Sequence, residues 1–168
     1  MRTLGIDTSN YTTSVCIYDD SNGIMLQKKL LLPVKQGEKG LRQSDAVFYH
    51  TARLYPLVGE VFKEFGGDID AVGVSEKPRD VEGSYMPCFL VGVNAAKCIG
   101  YAMKKSVYSF SHQAGHIAAA LFSSEKTELL NEKFIAFHVS GGTSEMLLVS
   151  PDNERTFNVE IIGQTLDL

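Results

Sequence analysis

The N-terminal segment contains three strand-like stretches separated by short polar turns, and this arrangement constrains the fold more than any other feature. Residues 3–6 form an apolar run, residues 13–18 alternate and are rich in β-branched side chains, and residues 24–32 form a third such stretch. The intervening residues 7–12 and 20–23 are rich in the Asp, Asn, Ser and Gly residues that favour tight turns. Consecutive strands joined in this way predict an antiparallel meander.

Helical and strand patterns alternate after this meander. A long helix is expected from Ser44 or Asp45 to about Phe65, with a kink or a break at Pro56. The further elements expected are helices over residues 87–104 and 111–121, strands over residues 69–74, 107–110, 134–139, 145–149 and 156–162, and a turn over residues 151–153.

This order of elements predicts an α/β fold of the ribonuclease H-like kind, with a mixed sheet covered by helices, followed by the opening strands of a second lobe. We expect the first lobe over residues 1–122, including the third helix, and the incomplete second lobe over residues 123–168. The sequence ends without a helix to cover the second set of strands, which indicates an interrupted chain. An uncovered sheet also predicts self-association.

The composition excludes several classes of protein. A hydrophobic fraction of 44% and a charged fraction of 21% are typical of a globular rather than a disordered chain. The net charge of -4 gives no basic footprint for nucleic acid. Three cysteines without a Cys-x-x-Cys pair argue against a disulfide framework. No apolar run is long enough to span a membrane, and the strand pattern at the start leaves no room for a signal peptide, so we expect a cytoplasmic protein without membrane partners.

The sharpest chemical motif is the pair His112 and His116 on the third predicted helix. Residues four apart lie on one face of a helix, and two imidazoles so placed can bind one transition metal ion. Gln113 stands where zinc-protease helices have a Glu base, so a metallopeptidase is disfavoured. The alternative to a metal site is a pair of histidines at a helix surface.

Two further segments have residues suited to binding phosphate. The first contains Asp7, Thr8 and Ser9, whose hydroxyl and backbone N–H groups can hold phosphate while the Asp holds a divalent ion such as magnesium. The second, between two predicted strands, consists of Ser140, Gly141, Gly142 and Thr143. Its paired glycines allow close approach to a ligand. The alternatives are an ordinary polar turn and an ordinary hairpin.

The order and spacing of these segments resemble the tRNA threonylcarbamoyladenosine transferase family, formerly described as O-sialoglycoprotein endopeptidases or glycoproteases, which belongs to the actin-like ATPase superfamily. The family protein is longer than this chain, so the resemblance implies its N-terminal half. The similar segments are residues 4–9, 69–74, 90–97, 111–116, 139–142 and 163–167.

The resemblance implies a metal- and nucleotide-dependent transfer of a threonylcarbamoyl group from an adenylate to an adenosine of tRNA. It implies that His112 and His116 bind iron or zinc, with a third ligand, an Asp, beyond Leu168. It further implies that residues 7–9 and 140–143 contact ATP or the acyl-adenylate and that Asp167 begins the nucleoside contacts. Other threonylcarbamoyladenosine-synthesis proteins are the implied partners besides tRNA.

Four departures from the family pattern lie where ligand contacts are expected. Asn10 and Tyr11 occupy a turn that is usually acidic, residues 76–84 replace a Gly-Pro-Gly loop, Thr143 replaces a His, and an acidic pair is incomplete at Leu168. These departures indicate a diverged paralogue. They leave open a second hypothesis, in which a non-catalytic paralogue acts as an assembly partner of a true transferase.

Overall fold

The computed structural model describes residues 1–34, 40–139, 144–153 and 156–165. Its contacts divide the chain into two compact units, which are described separately below. The first unit comprises Met1–Pro78 and Gly83–His112, and the second comprises Arg79–Glu82 and Gln113–Leu168.

The first unit contains a five-stranded mixed sheet in the order β3-β2-β1-β4-β5. Its strands are β1 (Arg2–Asp7), β2 (Thr12–Asp19), β3 (Gly23–Leu31), β4 (Ala71–Lys77) and β5 (Ser106–Ser111). β1 to β3 pair in antiparallel fashion, which confirms the predicted meander. β4 pairs in parallel with β1, and β5 pairs in parallel with β4. Parallel neighbours need crossover connections, and helices provide them here.

Two helices pack on this sheet, α1 (Gln43–Phe65) and α2 (Phe89–Met103). The shared core consists of Leu4, Ile6, Val15, Ile17, Leu54, Leu57, Val61, Ile69, Val72, Val74 and Ala96. Helix α1 ends at Gly66, which has a φ of 64° and whose N–H donates to the carbonyl of Phe62, as glycine favours at this position. Of the kink or break predicted at Pro56, the break is wrong, because α1 continues through this residue, and the kink stays a prediction.

The second unit contains a three-stranded antiparallel sheet in the order β6-β7-β8. Its strands are β6 (Phe134–Val139), β7 (Ser144–Asp152) and β8 (Thr156–Gln164). Helix α3 (His112–Ser123) and a short 3₁₀ helix (Thr127–Asn131) precede them. The core of this unit consists of Ala114, Ile117, Leu121, Leu147, Val149 and Val159.

This core corrects the expectation that the second set of strands has no covering helix, because α3 buries one face of the sheet. The predicted division into two lobes, residues 1–122 and 123–168, stays a prediction. The described contacts nevertheless group α3 with the second sheet from Gln113 onward. A pattern of apolar residues marks the buried side of a helix but does not say which sheet it meets.

The predicted turn over residues 151–153 is also wrong in part, because Pro151 and Asp152 belong to β7. β6 begins at Phe134, which pairs with Val149, so Pro151 lies beyond the end of β6. Within the described strands Pro151 pairs with Phe157 of β8 alone, and a proline is tolerated where a strand has one neighbour. No helix formed by the described residues is long and apolar enough to cross a membrane.

Candidate functional site

A polar cluster lies where three parallel strands of the first unit end. Asp7 is the last residue of β1, Ser75 lies in β4, and His112 directly follows β5. Nδ1 of His112 is 2.9 Å from Oδ2 of Asp7. The hydroxyl of Ser75 donates to the same oxygen at 2.5 Å. The side chains of Asp7 and His112 are each about a quarter exposed, so the cluster is open to a ligand.

The second carboxylate oxygen of Asp7 is also engaged. Oδ1 accepts a hydrogen bond from the backbone N–H of Ser9 at 2.7 Å and another from the Ser9 hydroxyl. Burial favours a raised pKa for Asp7, but the hydrogen bond and positive charge of His112 and the hydrogen bonds of Ser75 and Ser9 outweigh it and lower the pKa. Asp7 is therefore an anion at neutral pH, which suits it to a cation or an imidazole rather than directly to phosphate.

Thr8, which lies between Asp7 and Ser9 in the sequence, makes structural contacts instead. Its side chain is buried, and its hydroxyl donates to the carbonyl of Cys88 at 2.9 Å. The same oxygen accepts the N–H of Gly92 in α2 at 3.1 Å. The Thr8 hydroxyl thus fastens the end of β1 to the first turns of α2, and the structure does not bring it together with Asp7, Ser9 and His112.

The second unit has its own polar cluster around a buried carboxylate, and the His116 ring lies next to it. The ring centroid of His116 is 5.9 Å from that of His138. Nδ1 of His138 is 3.3 Å from Oε2 of Glu145, and Nε2 of Gln113 donates to that oxygen at 2.8 Å. Nη2 of Arg79 is 3.0 Å from Oε1 of Glu145. That oxygen accepts no well-aligned hydrogen bond from the described residues, so Arg79 acts on it as a charge.

No motif singled out in the sequence predicted this second cluster. A signal was present, because Glu145 alternates with Leu147 and Val149 along β7, and these three side chains share the buried face. A carboxylate on a buried strand face requires positively charged or donor partners. The sequence does not identify Arg79 as that partner, because it is distant along the chain.

The remaining predicted site residues lie outside the described residues: they are Ser140, Gly141, Gly142, Thr143 and Asp167. Within the described ranges, no group of three or more His, Cys, Asp or Glu side chains is placed so as to hold a metal ion.

Comparison with known families decides the relationship. The model of the tRNA N6-adenosine threonylcarbamoyltransferase (TsaD) family matches residues 34–168. The chain belongs to this family. Two curated relatives with that name come from Syntrophobacter fumaroxidans, with 29% identity, and Herminiimonas arsenicoxydans, with 33% identity. Each match covers 99% of the chain but only 47% and 46% of the relatives, so the chain spans about half their length.

Solved structures show the fold. YeaZ from Pseudomonas aeruginosa has a TM-score of 0.60 at 15% identity and matches 98% of this chain and 66% of its own. The ROK hexokinase from Thermus thermophilus has a TM-score of 0.55 at 15% identity and matches 95% of this chain and 49% of its own. The predicted actin-like α/β fold, with a mixed sheet and helices, is confirmed.

Proposed function

We propose that this family member forms about half of a threonylcarbamoyltransferase that modifies an adenosine of tRNA. The observation that most supports a working site is the pairing of His112 with Asp7 at the edge of the first sheet, where Nδ1 and Oδ2 are 2.9 Å apart. A carboxylate behind an imidazole is the usual second partner of a metal-binding histidine. His112 begins the helix that also contains His116.

The donor set fits iron or zinc. Imidazole nitrogens suit both ions, and His112 and His116 lie on successive turns of α3. The chain would supply these two ligands, and the third would be the Asp that the family resemblance places beyond Leu168. When bound, the metal supplies Lewis-acid polarisation of an acyl or phosphoryl oxygen. The contact with Asp7 would hold the His112 imidazole in position for that role.

The nucleotide part of the proposal concerns residues 7–9 and 140–143, which would contact ATP or the acyl-adenylate. Asp7 is anionic, so its approach to phosphate would require a bridging cation such as magnesium or the metal ion itself. Asp167 would begin the nucleoside contacts. Because the chain spans about half of its relatives, we expect weak ATP binding by this chain alone, and tight binding by calorimetry would contradict this part of the proposal.

One observation favours the second candidate, a non-catalytic paralogue that assembles with a true transferase. Asn10 stands where the family turn is usually acidic, and it has a φ of 46°. Its carbonyl oxygen is 3.2 Å from Nε2 of the buried His50, which donates to it. Structural contacts therefore fix this turn, and it lacks the acidic side chains that the family pattern places there.

The proposed partners follow from the proposed substrate. tRNA would be bound by the complete protein or its complex, because the net charge of this chain is -4 and gives no basic footprint. Other threonylcarbamoyladenosine-synthesis proteins would supply the adenylate. We place the reaction in the cytoplasm, where the tRNA substrate is.

Two measurements test the proposal. In the longest natural form of the protein, His112→Ala and His116→Ala should each abolish bound iron or zinc, measured by elemental analysis of the purified protein. Tyr101→Lys is the control, since Tyr101 is 82% exposed on α2, and it should leave the metal content unchanged. Full metal in both alanine variants would refute the metal site.

The second measurement separates the two candidates. Expression of the same protein in a transferase-deficient strain should restore growth if it is an enzyme. Failure to restore growth, together with capture of a transferase by the stable protein, would support the non-catalytic paralogue instead.

A further inference from the structure

The carboxylate of Asp7 faces the imidazole of His112, and we propose that Asp7 is a positioning residue. It holds His112 with the proton on Nδ1, so that the lone pair of the neutral ring, which a metal ion would bind, is on Nε2. The consequence for metal binding rests on the proposed function, whereas the position of the proton is a property of this chain alone. Asp7 thereby acquires a role other than the phosphate contact predicted from the sequence.

The direction of the hydrogen bond follows from the chemistry of the two groups. An ionised carboxylate can only accept, so the 2.9 Å contact between Nδ1 of His112 and Oδ2 of Asp7 requires a proton on Nδ1. In an imidazole the partner of one nitrogen decides the state of the other. With Nδ1 protonated, the neutral ring has its lone pair on Nε2.

Both members of the pair are held in place. Asp7 pairs with Ser14 across β1 and β2, and its carboxylate accepts hydrogen bonds on both oxygens, from Ser75 on one and from Ser9 on the other. Rotation of the carboxylate would break these bonds. The His112 ring also has an edge contact with Phe89, with centroids 6.2 Å apart. The side chain is therefore directed by a fixed acceptor and a neighbouring aromatic ring.

One contact of the other ring nitrogen is with Ser9. Nε2 of His112 is 3.4 Å from the hydroxyl oxygen of Ser9. The Ser9 hydroxyl donates its single proton to Oδ1 of Asp7, so it cannot also donate to Nε2. The Ser9 hydroxyl therefore presents a lone pair to Nε2 and does not occupy this nitrogen as a donor.

Replacing Asp7 by asparagine has a predictable result. The NH₂ group of the new amide would take the place of either Oδ1 or Oδ2. It cannot take the place of Oδ1, because the fixed backbone N–H of Ser9 points there and two donors would face each other. The hydroxyl of Ser75 can rotate to accept, so the NH₂ group would face Ser75 and His112. Nδ1 of His112 must then accept, and the proton of the neutral ring moves to Nε2.

The test is a nitrogen-15 NMR measurement on the metal-free chain at alkaline pH, where free imidazole is neutral. His112 is assigned by the signals lost in His112→Gln. The wild type should have Nδ1 protonated, and Asp7→Asn should have Nε2 protonated. Ser75→Ala is the matched control, since it removes a hydrogen bond to Oδ2 but keeps the carboxylate, and it should leave Nδ1 protonated. A wild-type ring protonated on Nε2 overturns the proposal, even if the variant does not fold.

A zinc titration separates this inference from the proposed function. Asp7→Asn should weaken zinc binding by roughly ten- to a hundredfold, as loss of such partners usually does. If zinc binds and needs His112 but Asp7→Asn binds as tightly as the wild type, the positioning role is wrong and the metal site stands. If the NMR result is as expected but His112→Ala changes no metal binding, the metal site is wrong and the positioning role stands.

Discussion

Arg79 and Glu145 form an ion pair whose two members differ in burial. Nη2 of Arg79 is 3.0 Å from Oε1 of Glu145. The Glu145 side chain is 1% exposed and that of Arg79 is 36% exposed. The carboxylate therefore depends on its partners for compensation, whereas the guanidinium can still be solvated.

This asymmetry predicts unequal effects of the two single substitutions. Arg79→Ala should lower the free energy of unfolding by up to about 3–5 kcal/mol, because the buried carboxylate then keeps only the Gln113 amide and the His138 imidazole as partners among the described residues. Glu145→Gln should cost only about 1–3 kcal/mol, because the amide oxygen can still accept from Gln113 and the guanidinium remains near water. Urea unfolding of the two variants measures both values. Equal losses, or a greater loss for Glu145→Gln, would contradict this account.

The contact between β1 and α2 predicts the effect of a methyl group at Gly92. A Cβ there would lie 2.8 Å from Oγ1 of Thr8 and 3.4 Å from a methyl carbon of Ile6, where nothing can move freely because Thr8 is bonded on both sides. Gly92→Ala should destabilise the chain by about 1–3 kcal/mol. Gly59→Ala in α1 is the control, with nothing within 4 Å, and should stabilise by about 0.5–1 kcal/mol. Thermal unfolding midpoints that shift in the same direction would show that packing at Gly92 is not tight.

A buried imidazole predicts how stability depends on pH. Nδ1 of His50 is 2.8 Å from the hydroxyl of Thr13, and its Nε2 donates to the carbonyl of Asn10. Burial lowers the pKa of His50, with the Arg53 charge acting in the same direction, while the bond to Asn10 and the charge of Asp7 oppose them. A neutral ring accepts from Thr13 and donates to Asn10, so both bonds are made without a charge.

The sign follows from this lowered pKa. As pH falls below the usual imidazole value of about 6.5, the unfolded chain takes up a proton that the folded His50 resists, so the free energy of unfolding falls, by at most about 1.4 kcal/mol per pH unit. His50→Gln should flatten this dependence, since an amide makes both hydrogen bonds without titrating. Thr13→Val should lower stability at every pH and keep the slope. Urea unfolding between roughly pH 5 and pH 8, the range in which histidine titrates, measures this slope of the free energy of unfolding against pH. The same slope in His50→Gln and the wild type would contradict this explanation.

The sequence predicted local elements well but did not predict contacts between residues that are distant along the chain. The meander of β1 to β3 follows from alternation and turn residues, which act over a few positions. The meeting of Asp7, Ser75 and His112 depends on the parallel order of β1, β4 and β5, which no local pattern contains. For the same reason the partner of Glu145 in the sequence-distant Arg79 was missed.

The exposed face of β6 makes the predicted self-association testable. β6 lies at one edge of its sheet, and Ile135, Phe137 and Val139 alternate along it with 53%, 74% and 74% of their surfaces exposed. The strand has no Lys or Pro that would block backbone pairing with a second copy at this edge. The exposed apolar side chains and the unprotected edge both favour association. Phe137→Lys should abolish a concentration-dependent rise in mass measured by light scattering. Tyr101→Lys, which replaces an aromatic residue that is 82% exposed on α2, is the control and should retain the rise. A wild-type chain that stays monomeric at high concentration, or an equal effect of both variants, would show that this face does not associate.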